Sequence, residues 1–194
     1  FVLSPSRGRE VPKSHLGDIC GVVSCDRLAA NKKLGEAIIY AFCWVHERRH
    51  FRQLHDSYPE LRAICEEFLD LIGKLYHYNK QRHLHEDASV EQQKAHAGLS
   101  TTLTEIITRA DELLADTTIH SELRRVLKGL KTDWEGLTTF LELSDIPPDN
   151  NPAEQAGRGP VVGRKNYYGS GSLESAELTA AMFSIEATLK LNNI

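Results

Sequence analysis

The chain has 194 residues, 41% of them hydrophobic, enough to bury one substantial core or a core with an insertion. No apolar run reaches the roughly 18–20 residues that span a bilayer, and the start lacks the initiator Met and basic segment of a signal peptide. The net charge of −4 excludes a uniformly basic nucleic-acid binder, but residues 1–55 carry nine Lys/Arg against five Asp/Glu, residues 56–148 ten against seventeen, and residues 149–194 four against five, so the acidity belongs to the middle and a DNA partner stays open.

Phe1-Val2-Leu3-Ser4-Pro5 reads as a strand joined midway, so the chain is expected to be the later part of a longer protein. Gly21 to Cys25 is a short apolar run ending on Asp26, and Ile38 to Val45 is a second, rich in β-branched and aromatic residues. A short helix is expected between them, over Arg27 to Glu36, giving a βαβ unit covered on both faces. Asp26 ends its strand where open α/β sheets collect ligands, although an Asp there can equally cap the next helix.

From Tyr58 the period becomes helical. Leu61, Ile64, Phe68, Leu71, Ile72 and Leu75 form one stripe, with Pro59 suited to the first turn. Leu99, Leu103, Ile106, Ile107, Ala110 and Leu113 mark a second helix, after a polar linker over His83 to His96. Ser121 can cap a third, whose stripe runs from Leu123 through Leu130 to Trp134 and Leu137. Pro147-Pro148 stops it. Asn151 then caps a new helix with Pro152 first and Glu154 third, and a Gly-rich loop is expected from Gly157 to Ser172 before a last helix over Leu173 to Leu191.

The four cysteines form no CxxC pair and read as small hydrophobes in a reducing cytoplasm. Glu154 has capping-box spacing from Asn151 and could bond back to its amide. Capping leaves the basic, Gly-rich segment after it unexplained. Glycines allow close backbone approach, Arg158, Arg164 and Lys165 can neutralise phosphate, and Tyr167 and Tyr168 can either stack on bases or be buried. His46-Glu47-Arg48-Arg49-His50 matches the HExxH zinc pattern, with Asp56 at the distance of a third ligand. Gln53 stands where extended forms of that motif need Gly, so a helix start with surface histidines is the preferred account.

On these residues the sequence resembles the bacterial DDE transposases of the insertion sequence 66 family. The resemblance rests on Gly21-Val22-Val23-Ser24-Cys25-Asp26-Arg27 and on Cys43-Trp44-Val45-His46-Glu47-Arg48-Arg49-His50-Phe51. Its most specific block is Asp149-Asn150-Asn151-Pro152-Ala153-Glu154, followed by Gly159-Pro160-Val161-Val162-Gly163-Arg164-Lys165-Asn166-Tyr167-Tyr168-Gly169-Ser170-Gly171-Ser172. It implies an α/β fold, helix-dominated by content: a partial RNase H-like core over 1–56 and 147–194, interrupted by a helical insertion over 57–146.

The resemblance further implies that Asp26 and Glu154 are the second and third acids of a site for Mg²⁺ or Mn²⁺, the first lying upstream of Phe1. Arg158, Arg164, Lys165 and Asn166 become DNA-backbone contacts, with Asn150 and Asn151 shaping the turn before Glu154. The implied partner is double-stranded DNA, at element ends and target, without a membrane; a homo-oligomer is left open. The implied location is the bacterial cytoplasm, at the nucleoid when bound. Leu28, Asn31, Gly157 and Glu186 depart from the family pattern, and with the missing first Asp they suggest a truncated copy that does not catalyse transposition alone. The alternatives are a non-catalytic DNA-binding or regulatory remnant, and a zinc hydrolase built on His46, His50 and Asp56.

Overall fold

The computed structural model describes residues 1, 4, 8–27, 34–166 and 171–194, and only the backbone of Pro152 and Arg164. After a short helix α1 (Glu10–Leu16), strands β1 (Gly21–Cys25) and β2 (Ile38–Phe42) pair in parallel. Helices α2 (Trp44–Ser57), α3 (Arg62–Leu84), α4 (Val90–Ala115), α5 (Ser121–Thr132) and α6 (Trp134–Glu142) follow, with a 3₁₀ turn at Pro59–Leu61 before α3. Helices α7 (Asn151–Asn166) and α8 (Leu173–Leu191) complete the chain. The protein is thus helix-dominated around a two-stranded parallel sheet. Of the helix expected over Arg27 to Glu36, residues 28–33 lie outside the described residues, while Arg27 and residues 34–36 are not helical; Val2, Leu3, Pro5, Leu28, Asn31, Tyr167 and Tyr168 also lie outside the described residues.

Parallel strands need a covered face, and here α6 supplies it. Gly136 of α6 lies so close to the Phe42 ring that a Cβ there would overlap it. Thr139 Oγ1 donates to the Tyr40 carbonyl at 2.6 Å, tying α6 to β2. One packed cluster runs from Cys25 and Phe42 through the buried stripes of α2 to α6. Phe51 of α2 stacks on Phe68 of α3, with centroids 4.5 Å apart and planes 5° from parallel. α3 and α4 form an antiparallel hairpin in which Gly98 leaves room for the Tyr78 ring.

Two cations, the buried Arg82 and the half-buried Arg27, fasten this core. Arg82, from α3, donates to the Leu141 carbonyl at 3.2 Å and also to that of Phe140, so it satisfies the last carbonyls of α6. Burial without a carboxylate partner pulls its guanidinium below the usual range. Arg27, just past β1, pairs with the fully buried Glu47 of α2 and reaches Asp133 at 3.2 Å.

Several boundaries differ from expectation. The second apolar run is not one strand to Val45. It ends at Phe42, because Cys43 takes the extended N-cap position and the Trp44 amide donates to the Pro148 carbonyl at 2.9 Å, turning the chain into α2. The polar linker of 83–96, read as helical in part, is helix except for a turn at residues 85–89, where Ser89 caps α4 by accepting from the Gln92 amide. The third expected helix is split at Asp133, whose non-helical backbone begins α6 and whose carboxylate is held by Arg27.

The loop expected from Gly157 is helical to Asn166, despite Pro160 within it. Phe183 of α8 packs on Gly159, and Phe1 meets Phe183 edge-on at 6.1 Å, so the segment has an apolar side to fold against. α8 matches its expected bounds but buries no residue; Leu178, Met182, Ile185 and Leu189 remain exposed.

Three stability measurements by denaturant unfolding check this packing. Phe51→Ala should cost about 3–5 kcal/mol, and Gly136→Ala about 1–3 kcal/mol through overlap with Phe42. Glu47→Ala should cost about 1–3 kcal/mol by removing one of the two carboxylates that hold Arg27, with Asp133 left as its partner. A Gly136→Ala protein as stable as the parent would contradict the α6–β2 contact.

Candidate functional site

The parallel register sets Cys25 opposite Phe42. Asp26 and Cys43, the residues that follow, therefore leave the sheet at the same end, where strand carboxyl ends deliver ligands in open α/β sheets. Arg27 fixes the exit of β1 through Glu47 and Asp133, and its guanidinium also lies 3.3 Å from His50 Nδ1. Asp26 thus rises from a backbone anchored on both sides.

Cys43 is fully buried at the N-terminus of α2. Burial pushes its thiol up, while the backbone amides of Asn150, Val45 and His46 pull it back and the Asp149 carboxylate pushes it up again. The amide of Asn150 thereby ties the segment before α7 to the start of α2, alongside the Trp44–Pro148 hydrogen bond. Tyr76 of α3 lies behind this junction, its hydroxyl pushed well up by burial and by Asp149 and Cys43.

This junction delivers Glu154. The Asn151 amide donates to Asp149 Oδ1 at 3.1 Å, and the Glu154 amide to the Asn150 carbonyl at 3.1 Å. Both hydrogen bonds lie at the first turn of α7. The capping-box alternative fails, because the Asn151 amide is taken by Asp149 and the Glu154 carboxylate lies 3.7 Å from His46 Nε2. Ligand atoms of Cys43, His46 and Glu154 all fall within 4.8 Å of one another.

Along α7, Arg158 and Lys165 stand four and eleven residues past Glu154, within about 40° of it around the axis at 3.6 residues per turn. Both are exposed and form no ion pair among the described residues. Asn166 is exposed at the helix end, about 120° off that face, and the side chain of Arg164 is outside the described residues.

The zinc-hydrolase geometry does not form. Glu47, its required base, is buried against Arg27; His50 turns to Glu47 and Arg27, and Asp56 hydrogen-bonds His55. Among the described residues the metal-competent group is Cys43, His46 and Glu154 instead. Sequence reasoning did not join Cys43 and His46 to Glu154. The signal was a Cys-x-x-His spacing at the strand–helix junction, which puts both residues on one helical turn.

The family model described as Transposase IS66 family matches residues 1–178. The chain is also similar to two proteins of Sinorhizobium fredii (strain NBRC 101917 / NGR234). It is 27% identical to uncharacterized protein y4hP over 215 aligned residues, covering 100% of this chain and 38% of that protein. It is 24% identical to uncharacterized protein y4qI over 199, covering 97% of this chain and 36% of that protein. The chain thus spans well under half the length of these relatives. No solved structure matches it. With the strand–Asp26 exit, the Cys43–His46 turn and the Glu154 helix all inside the matched residues, the chain belongs to the IS66 transposase family.

Proposed function

We propose that the chain carries the second and third acids, Asp26 and Glu154, of a DDE-type site that cleaves and joins double-stranded DNA in the complete protein. On this reading residues 1–56 and 147–194 belong to an RNase H-like core, and 57–146 are an insertion between its parts. The observation that carries it is the shared end of the sheet. Asp26 leaves β1 beside Cys43, and Glu154 meets His46 one turn further on.

Two carboxylates suit hard, oxygen-seeking cations such as Mg²⁺ or Mn²⁺. The Glu154 side chain is 42% exposed, and among the described residues it approaches the His46 imidazole and pairs with no Lys or Arg that would compete for its oxygens. Asp26 and Glu154 would hold such ions, which when bound would supply activation of an attacking oxygen and stabilisation of the departing one in phosphodiester exchange. The residues of this chain orient and bind: Arg27 holds the Asp26 strand end, Asn150 and Asn151 set the helix carrying Glu154, and Arg158 and Lys165 receive phosphates on the Glu154 face. We place the first acid in the longer protein, so the chain by itself binds DNA without cleaving it. Its place of action is the bacterial cytoplasm, on the nucleoid.

In the complete protein, Asp26→Asn or Glu154→Gln should each lower Mg²⁺-dependent cleavage of element-end DNA at least about 100-fold, more than loss of an outer-sphere partner. Cleavage that survives either change overturns the assignment. For the chain alone, replacing both Arg158 and Lys165 by Ala should weaken duplex binding similarly across sequences and flatten the log–log salt slope by about 2. An unchanged slope would remove α7 from the DNA interface.

A further inference from the structure

The junction that presents Glu154 also gathers a thiol and an imidazole, which a site for hard cations has no need of. Mg²⁺ is served by oxygen atoms; sulfur and nitrogen select softer ions, with Zn²⁺ foremost among those that accept all three donor types. We propose that Cys43, His46 and Glu154 form a three-ligand site for a borderline divalent cation of the Zn²⁺ class, which clips α7 to the start of α2. The proposal stands on the geometry of this cluster and holds whether or not Glu154 also serves in DNA cleavage.

Three observations carry it. First, the His46–Glu154 distance fits, and the Cys43 thiol lies within reach of both. Zn–N and Zn–O bonds of about 2.0–2.2 Å and a Zn–S bond of about 2.3 Å put tetrahedral ligand atoms roughly 3.3–3.8 Å apart. His46 Nε2 and Glu154 Oε1 are 3.7 Å apart, too far for a hydrogen bond and right for two ligands of one ion, and the three ligand atoms lie within 4.8 Å of one another.

Second, His46 is not committed elsewhere. Among the described residues its Nε2 approaches only the Glu154 carboxylate, and the opposite ring nitrogen, Nδ1, has no hydrogen-bond partner. An imidazole whose side-chain approach is to a carboxylate at ligand spacing is available to an ion shared with it.

Third, the fold leaves such a clip something to hold. α8 buries no residue, and α7 turns mostly exposed positions outward. Among the described residues the α7 start meets the core through the Trp44–Pro148 hydrogen bond and the approach of Glu154 to His46. An ion bridging residues 46 and 154 would close a long loop, where cross-links are expected to stabilise most. Three protein ligands leave one tetrahedral position for water or another donor.

The test uses the whole chain with Zn²⁺ and Co²⁺ as probes. The parent should bind one Zn²⁺ per chain and, with Co²⁺, show a thiolate-to-cobalt charge-transfer band. Cys43→Ser should abolish that band. His46→Ala should weaken binding at least about 100-fold, and Glu154→Gln should weaken it while keeping the band. Zn²⁺ should also slow hydrogen exchange at the start of α7 in the parent and not in His46→Ala. Cys43 is fully buried, so if Cys43→Ser fails to fold by circular dichroism, the partly exposed His46 and Glu154 variants decide. A folded parent without the band, or Zn²⁺ affinity unchanged by His46→Ala, overturns the proposal; the cluster is then an N-cap thiol beside a His–Glu pair.

Discussion

A carboxylate cannot remain charged in a dry core without a cation beside it, and Glu47 is fully buried. Its partner Arg27 belongs to the strand exit that carries Asp26, and the same guanidinium reaches Asp133 at the break between α5 and α6. One residue thus fixes three elements. Because His46 is one position from Glu47, about 100° around the helix, turning Glu47 inward also decides where His46 points. The direction in which α2 meets Glu154 follows from a charge that must not be left alone.

The helical half of the protein was largely legible because its apolar stripes are periodic: Phe68, Ile72 and Leu75, then Leu99, Leu103 and Ile106, are buried as their spacing requires. The first strand was legible in full, Gly21–Cys25, and the second in place but not in extent. Cys43 looks like one more apolar strand residue, and only the Pro148 carbonyl, more than a hundred positions away in sequence, turns the chain at Trp44. Similarly, Leu130, Trp134 and Leu137 share a stripe, yet the pull of Arg27 on Asp133 splits the helix that the stripe suggests. Glycine and proline in 157–166 read as a loop because local propensity gives no view of Phe183, which packs on Gly159 from α8.

The candidate site shows the same division. Asp26 and Glu154 stand out by residue type and motif position, whereas Cys43 and His46 became neighbours of Glu154 only through the junction at residues 148–150. At that junction hard and soft donors share one carboxylate. A carboxylate has two oxygens, so Glu154 can face Asp26 for a hard cation while its other side meets the imidazole and thiol. The acid proposed for DNA cleavage would then be held by a pair of residues with a different metal preference, on a helix that the core otherwise touches little.

The central claim is that Asp26 and Glu154 serve one metal site. Anomalous diffraction from crystals of the complete protein soaked in Mn²⁺ tests it most directly. The account predicts manganese density contacting carboxylate oxygens of both residues at the C-terminal end of the β1–β2 sheet. Manganese bound elsewhere, with the two carboxylates facing away from each other, would contradict it.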